Sequence, residues 1–519
     1  MNAAAPFVWT EVSVRRALGL DDETQTRPRA GASRENQPAQ PRRFTGISTD
    51  TRALRPGDLF VALRGPRFDG HRFLAEAVAA GAAGAVVEEG VSLDLPGAGT
   101  GEAEGLGETD PLLLYRVPDT LVALGQLGRF RRRAFAGPVV GLTGSSGKTT
   151  VKEMIRAALA TRYRVHATPA NQNNRIGVPL TLLAIPHDAE MVVVEMGTNE
   201  AGEIATLTRI TEPDVGLVIT VSETHLEGLG SLEGVLEEKL SLVVHLRPEA
   251  RAFVGDSPPE LPRAARRLRD DLHVVGLSSD ADPEYRGRAQ DMDADGRMAF
   301  RLGDLSVRPG YPGRHGAANA LLALVVAREL GVSPEQAVPA LEALMPAGLR
   351  GERRRIGAME LVLDCYNANP QSVRAALDTL SSRRWPAPRV AILGSMLELG
   401  AQEASLHREI LGYALDSGVE RLVAVGAFAE AAQAIPDPVR EGVELIPVPE
   451  PVQVPERLFP LLRGDELVLL KGSRGIRLET LVPAFEAVFA GETGEAAETS
   501  SAPAEYAEEP TGASREEEV

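Results

Sequence analysis

Gly141-Leu142-Thr143-Gly144-Ser145-Ser146-Gly147-Lys148-Thr149-Thr150 follows the apolar pair Val139-Val140 and opens a stretch, 149–161, with helical spacing. Strand, glycine-rich loop and helix in that order form a phosphate cradle. Glycines let backbone N–H groups point at phosphate oxygens, and the helix N-terminus adds a favourable partial charge. Lys148 is placed to reach the β- and γ-phosphates, and the Thr149 hydroxyl to bind Mg²⁺. The usual spacing puts glycine at 142; here the glycines fall at 141, 144 and 147. An ordinary Gly/Ser turn is the plain alternative, and the strand–loop–helix context argues against it. The expectation is an ATP site that drives a chemical reaction. No Asn-Lys-x-Asp motif accompanies it, which weighs against a guanine-nucleotide switch.

Outward from the loop, 191–194 and 215–221 read as buried strands. A second series starts near Glu360, with strands at 361–363, 389–393, 422–425 and 467–470. Strands alternating with helices imply parallel sheets covered on both faces. Between the two series, 316–344 is helical, and 317–332 reads as a buried amphipathic helix because it carries Asn319, Arg328 and Glu329. Upstream, 58–63 and 85–88 read as strands, and 71–81 and 120–135 as helices. Residues 21–43 have no apolar period and read as a disordered insertion, 96–110 as a loop, and 491–519 as a disordered acidic tail.

The chain has 519 residues, 43% of them hydrophobic. At about 100–200 residues per domain that suggests three domains. A net charge of -18, from 55 Lys+Arg and 73 Asp+Glu, argues against a nucleic-acid partner. Cys365 is the single cysteine, so no intrachain disulfide forms and a reducing compartment fits. The first residues lack a signal-peptide pattern, and no apolar run approaches the ~20 residues of a membrane span. The expectation is a cytoplasmic chain with no membrane insertion.

Further motifs carry chemistry. Val192-Val193-Val194-Glu195 puts a carboxylate at a strand tip, where a Mg²⁺-binding acid sits in such enzymes; a surface Glu is the bland alternative. His225 follows the strand 215–221, at the sheet edge that carries the loop. Asn171-Gln172-Asn173-Asn174 precedes a helix and could be a capped loop. Asp364-Cys365-Tyr366-Asn367-Ala368-Asn369-Pro370 closes a strand and could be turn chemistry. Residues 232–246 look helical, with Leu232, Leu236, Leu240 and Val243 on one face. Glu233, Glu237, Glu238 and Lys239 then fall on an exposed side, which makes Lys239 a solvated lysine by pattern.

Together these residues resemble the Mur ligase family of bacterial cell-wall synthesis, over roughly 44–490. Ser48-Thr49-Asp50-Thr51-Arg52, 56–62 and 69–71 resemble its uridine-nucleotide domain. The Tyr-Asn-Ala-Asn-Pro run and Met396-Leu397-Glu398-Leu399-Gly400, with His407 and 471–474, resemble the branch that adds D-alanyl-D-alanine. The Asp-x-Pro-Arg motif of the branch that adds a diamino acid is absent. Departures are Gly316 and Thr220, where asparagine is usual, and Ser395, where aspartate is usual.

The resemblance implies an α/β chain of three domains. These are an N-terminal α/β uridine-nucleotide domain (1–118), a central P-loop ATPase-type parallel sheet (119–346) and a C-terminal Rossmann-like domain (347–490). The implied reaction is ATP-dependent amide formation between UDP-N-acetylmuramoyl-tripeptide and D-alanyl-D-alanine through an acyl phosphate, in a monomer. The implied ATP-binding set is Gly144, Ser145, Ser146, Gly147, Lys148, Thr149, Thr150, His315, Asn319, Arg350 and Asp364. Ser48, Thr49, Asp50, Thr51, Arg52, Asn171, Asn173 and Asn174 fall to the UDP-linked substrate, and Tyr366, Asn367, Asn369 and Lys471 to the dipeptide side. Lys148, Glu195, His225 and Lys239 are the implied catalytic residues. Thr149, Glu195, His225 and Lys239, the last as a carbamate, are the implied Mg²⁺ ligands. A ligase adding a single amino acid, and an ATP-dependent regulatory protein without catalysis, remain the alternatives.

Overall fold

The computed structural model describes residues 7–20, 41–65, 68–92, 112–433 and 442–490. The expectations for 96–110, 491–519 and most of the insertion lie outside these residues. Residues 41–43, expected within the insertion, instead belong to the fold. Arg43 pairs with Thr10 and Phe44 with Trp9 in a short antiparallel ladder. The reason is the next residue: Phe44 is buried and carries its neighbour into register.

Three mostly parallel sheets organise the chain, as α/β patterning demands. The N-terminal sheet is parallel throughout, in the order Ile47–Ser48, Leu59–Val61, Gly84–Glu88, Leu113–Val117. The central sheet is also fully parallel, in the order Val165–Ala167, Met191–Glu195, Val139–Thr143, Val215–Val218, Arg251–Gly255, Leu272–Val275. The C-terminal sheet runs Glu352–Ile356, Met359–Asp364, Leu467–Lys471, Arg389–Leu393, Arg421–Val425, Glu444–Val448, with only the first strand antiparallel. A three-stranded antiparallel meander, 288–307, lies between the last two sheets in sequence.

Strand order positions the site. Val139–Thr143 lies between Met191–Glu195 and Val215–Val218, with chain connections leaving to both sides. Ligands of open α/β sheets bind beyond the carboxyl ends of strands at such a switch point. Register puts Glu195 beside Leu142 and Val218 beside Thr143, so the loop, the carboxylate and residues 219–225 emerge together. In the C-terminal sheet, Lys471 is level with both Asp364 and Leu393.

The helix Lys148–Ala160 buries Val151, Met154, Ile155, Ala158 and Leu159 against the helix Gly313–Glu329. The latter is not amphipathic as expected: Ala320, Leu321, Leu322, Ala323, Leu324, Val325, Val326 and Ala327 are all buried. It is walled in by Lys148–Ala160, the meander, Pro334–Ala343 and Pro370–Ser382, which an apolar all-round helix requires. The helix Leu232–His245 also turns differently from its pattern. It buries Val235, Glu238, Lys239, Leu240, Leu242 and Val243, so Glu238 and Lys239 are inside rather than exposed. Among the described residues, no helix is long and apolar enough to cross a membrane.

Candidate active site

The loop after Val139–Thr143 turns into Lys148–Ala160 through Gly147 at φ +79°, a left-handed backbone that favours glycine. A Cβ at Gly147 would lie 3.1 Å from Asn319 Oδ1, so Asn319 backs the loop closely. Ser145 holds the loop to the next strand end: its Oγ accepts from Ser222 N–H at 2.9 Å and donates to Ser222 O at 3.1 Å. Lys148 Nζ donates to Gly144 O at 2.9 Å. Burial lowers the Lys148 pKa against the pull of Glu195; Arg350 adds to the lowering and Glu398 opposes it.

Glu195 is 1% exposed. Its Oε1 accepts from the Thr149 hydroxyl at 3.2 Å and from Asn173 Nδ2 at 2.8 Å. Its Oε2 has no hydrogen-bond partner. A buried carboxylate oxygen left open beside a threonine hydroxyl fits a divalent cation. Among the described residues, no three His, Cys, Asp or Glu converge as a metal cage.

Two neighbours of Glu195 escaped the sequence analysis or were misplaced by pattern. Lys152 is fully buried; its Nζ donates to Thr168 O at 2.7 Å and Ala170 O at 3.1 Å and lies 3.9 Å from Glu195 Oε2. The available signal was a lysine sharing a helix face with Ile155 and Leu159. Lys239 is also fully buried, and its Nζ has no partner. Burial lowers its pKa well below the ordinary lysine value, and the Lys148 charge pushes the same way, against Glu238, Glu203 and Glu195.

His225 follows the strand Val215–Val218 at φ +52°. Its Nδ1 is 2.5 Å from Glu398 Oε2, across from the C-terminal sheet. Burial lowers the His225 pKa; Glu398 opposes this, and Lys148 and Lys239 add to it.

The C-terminal sheet supplies the opposite wall. Lys471 Nζ lies 3.1 Å from Asp364 Oδ2 and donates to Asn367 O at 2.7 Å. The Arg350 guanidinium stacks 3.8 Å from the Tyr366 ring centre, a cation–π contact. Asn369 caps Pro370–Ser382 by accepting from Ser372 N–H at 2.8 Å, and its Nδ2 donates to Ser146 Oγ at 3.0 Å. Its side chain therefore also touches the phosphate loop. Gln371 Nε2 donates to Thr220 Oγ1 at 3.1 Å, a second stitch the sequence did not reveal.

These groups line one cavity of about 920 Å³. It gathers Ser145 through Thr150, Asn171, Asn173, Glu195, His225, His315, Asn319, Arg350, Asp364, Tyr366, Asn367, Asn369 and Lys471. Asn171 and Asn173 line it together with the phosphate loop. Gly144 contributes the carbonyl that Lys148 binds, and the fully buried Lys239 is not among the lining residues. Ser48 ends the first strand of the N-terminal sheet, Thr49, Asp50, Thr51 and Arg52 follow it, and none of them lines the cavity. Within them, Arg52 clamps the Asp50 carboxylate at 2.7 Å, and that contact lowers the Asp50 pKa. Asn174 does local work, its Oδ1 accepting from Ile176 and Gly177 N–H groups.

The departures have local explanations. A Cβ at Gly316 would lie 2.4 Å from Tyr311 O, so asparagine cannot stand there without moving the backbone. Thr220 donates to Ser257 O at 2.8 Å, and Ser395 Oγ accepts from Ala427 N–H at 2.9 Å.

Three family models cover the chain: Mur ligase family, catalytic domain over 43–131; Mur ligase middle domain over 142–327; and Mur ligase, glutamate ligase domain over 350–474. The UDP-N-acetylmuramoyl-tripeptide--D-alanyl-D-alanine ligase of Bacillus subtilis (strain 168) is 34% identical, over 84% of this chain and 92% of that relative. The ligase of the same name from Escherichia coli (strain K12) is 32% identical, over 85% and 93%. Among solved structures, MurF from Acinetobacter baumannii superposes with a TM-score of 0.77 at 29% identity, covering 93% of this chain and all of that one. MurF ligase from Thermotoga maritima in complex with ADP gives 0.72 at 28%, covering 85% and 97%. The chain belongs to the Mur ligase family.

Proposed function

We propose that this chain joins D-alanyl-D-alanine to UDP-N-acetylmuramoyl-tripeptide at the expense of ATP, releasing ADP and phosphate, in peptidoglycan precursor synthesis. The supporting observation is the single cavity in which the phosphate loop faces Asp364, Tyr366, Asn367 and Lys471 of the C-terminal sheet. Relatives named for this reaction match over 84–85% of the chain, and one solved neighbour carries ADP.

Three domains divide the work: 1–118 holds the uridine nucleotide through Ser48–Arg52, 119–346 holds ATP, and 347–490 brings the dipeptide. A carboxylate is a poor electrophile because its oxygen is a poor leaving group. Transfer of the γ-phosphoryl group to the tripeptide carboxylate makes an acyl phosphate. The D-alanyl-D-alanine amine attacks that carbonyl, the C–N bond forms, and phosphate leaves with the original carboxylate oxygen. Loop N–H groups and Lys148 cradle the phosphates. His315, Asn319, Arg350 and Asp364 hold the nucleoside end, and Tyr366, Asn367 and Lys471 face the amine. The enclosing walls align three reactants and exclude water, which would hydrolyse the acyl phosphate.

Thr149, Glu195, His225 and Lys239, the last as a carbamate, would hold Mg²⁺. Bound there, Mg²⁺ supplies charge neutralisation on the phosphoryl oxygens. The open Glu195 oxygen and the partnerless Lys239 amine support that donor set. In this reading the chain works as a monomer in the cytoplasm, where ATP and the UDP-linked substrate are available. The test is tripeptide labelled with ¹⁸O in its terminal carboxylate. One label per turnover should appear in released phosphate; unlabelled phosphate from a turning-over enzyme would contradict the acyl phosphate.

A further inference from the structure

One helical turn after Lys148, Lys152 is fully buried. Its ammonium stands 3.2 Å from Glu153 and donates to two backbone carbonyls, Thr168 O at 2.7 Å and Ala170 O at 3.1 Å. An extended chain holds carbonyls two residues apart about 6.7 Å from each other. Two that bond to one nitrogen are closer than that, so the chain 168–170 curls around the ammonium. The curl passes through Ala170 at φ +42°, one of six non-glycine residues with positive φ among those described. A side chain disfavours that region, and Ala170 is exposed, so packing around its methyl does not enforce it. The bonds within the arc are local, Gln172 N–H to Pro169 O at 3.1 Å and Asn173 N–H to Asn171 O at 2.7 Å. Among the described residues, Lys152 is the one group outside the arc that bonds to residues 169–171.

Both ends of the curl are tied to the site. Thr168 N–H donates to Val193 O at 3.0 Å, and Thr168 Oγ1 accepts from Glu195 N–H at 3.0 Å. Past the curl, Asn173 O accepts from Gly197 N–H at 2.7 Å, and Asn173 Nδ2 donates to Glu195 Oε1 at 2.8 Å. A Cβ on Gly197 would lie 2.7 Å from Asn173 Cγ, so the asparagine packs directly on that backbone. Asn171 and Asn173 both line the cavity.

We propose that Lys152 is a positioning residue for the UDP-linked substrate: by drawing two carbonyls together it holds Ala170 left-handed, and that turn sets Asn171 and Asn173 on the cavity wall. An ammonium has three donors on a long stem, enough for two carbonyls and a neighbouring carboxylate at once. Methionine has a similar stem and donates nothing. This role rests on the reading in which the UDP-linked substrate enters the cavity, and crystal structures separate the two. In Lys152→Met, residue 170 should leave the left-handed region and the Asn173–Glu195 hydrogen bond should be lost. A Lys152→Met structure that keeps both overturns the proposal, whatever the chain binds.

Calorimetry on the full-length chain tests the consequence. Lys152→Met should weaken binding of UDP-N-acetylmuramoyl-tripeptide about tenfold while ADP binding stays within about twofold, a split that general loss of structure would not give. Ala170→Pro locks φ at about −65° with Lys152 still in place, and should weaken tripeptide binding as much. It carries the test where Lys152→Met fails to fold. Ala170→Gly should stay within about twofold of the unaltered chain, because glycine enters the left-handed region freely. Added to Lys152→Met, it should restore tripeptide affinity about fivefold. Unchanged tripeptide affinity in Ala170→Pro, or no recovery in the double variant, overturns the proposal. An unaltered chain that does not bind the tripeptide would instead contradict the proposed function, and the crystal structures would still decide whether Lys152 holds the turn.

Discussion

Two helices of the central domain each bury a lysine completely, and the two lysines are treated in opposite ways. On Lys148–Ala160, Lys152 Nζ reaches two backbone carbonyls, Thr168 and Ala170, and lies 3.2 Å from Glu153. On Leu232–His245, Lys239 has neighbours of both charges but no hydrogen-bond partner. Burying an ammonium costs several kcal/mol unless it is paired. Lys152 meets that cost with a full shell, and the shell fixes the turn before Asn171 and Asn173. Lys239 leaves it unmet, and burial lowers its pKa well below the ordinary lysine value. Under the proposed function, that lysine is the one that takes up CO₂ and becomes an anion. The contrast separates a lysine whose ammonium is satisfied from one whose ammonium is not.

The largest expected effect is on Lys239. Lys239→Ala should lower kcat by at least about 100-fold and be partly rescued by acetate, which restores an anion in the vacated space. Lys239→Arg should not be rescued, because its long cation still fills the site. Steady-state kinetics with and without acetate checks both, and full activity of Lys239→Ala without additive would erase the distinction.

Stability should show the reverse order. Lys152→Met strands the Thr168 and Ala170 carbonyls and removes a cation beside Glu195, and breaking such a buried set costs about 3–5 kcal/mol. Lys239→Met removes no hydrogen bond and should cost less than about 1 kcal/mol. Urea unfolding of the two variants side by side measures this. Equal losses would mean that partners do not distinguish the two sites.

Cys365 sharpens the same point with a group that burial holds neutral. It is fully buried, and burial pushes its thiol up to about 12, with Glu479 and Asp364 adding to the rise. The thiolate is the reactive form, so iodoacetamide at pH 8 should leave Cys365 unlabelled in the native chain and label it in urea, as read by mass spectrometry. The smallest expected effect is removal of residues 491–519. That acidic stretch lacks an apolar period, and kcat should stay within about twofold of the full chain.

What the sequence made legible was local. The loop at 141–150 is a contiguous motif, and the strands at 139–143 and 389–393 stand out as short apolar runs with clear ends. What it hid was distant or depended on how elements dock. Ser146 and Asn369 are 223 residues apart, and Thr220 and Gln371 are 151 apart, with no period linking them. The side of Leu232–His245 that faces inward is chosen by the packing of neighbours, so the leucine spacing pointed Lys239 the wrong way. Only family resemblance put that lysine at the site.

The most direct measurement is ADP release by the purified full chain with ATP, Mg²⁺ and UDP-N-acetylmuramoyl-tripeptide while the amine is varied. The account predicts sustained ADP release with D-alanyl-D-alanine, little with single amino acids, and near silence without the tripeptide. Equal turnover with a single amino acid, or ADP release at the same rate without either substrate, would contradict it.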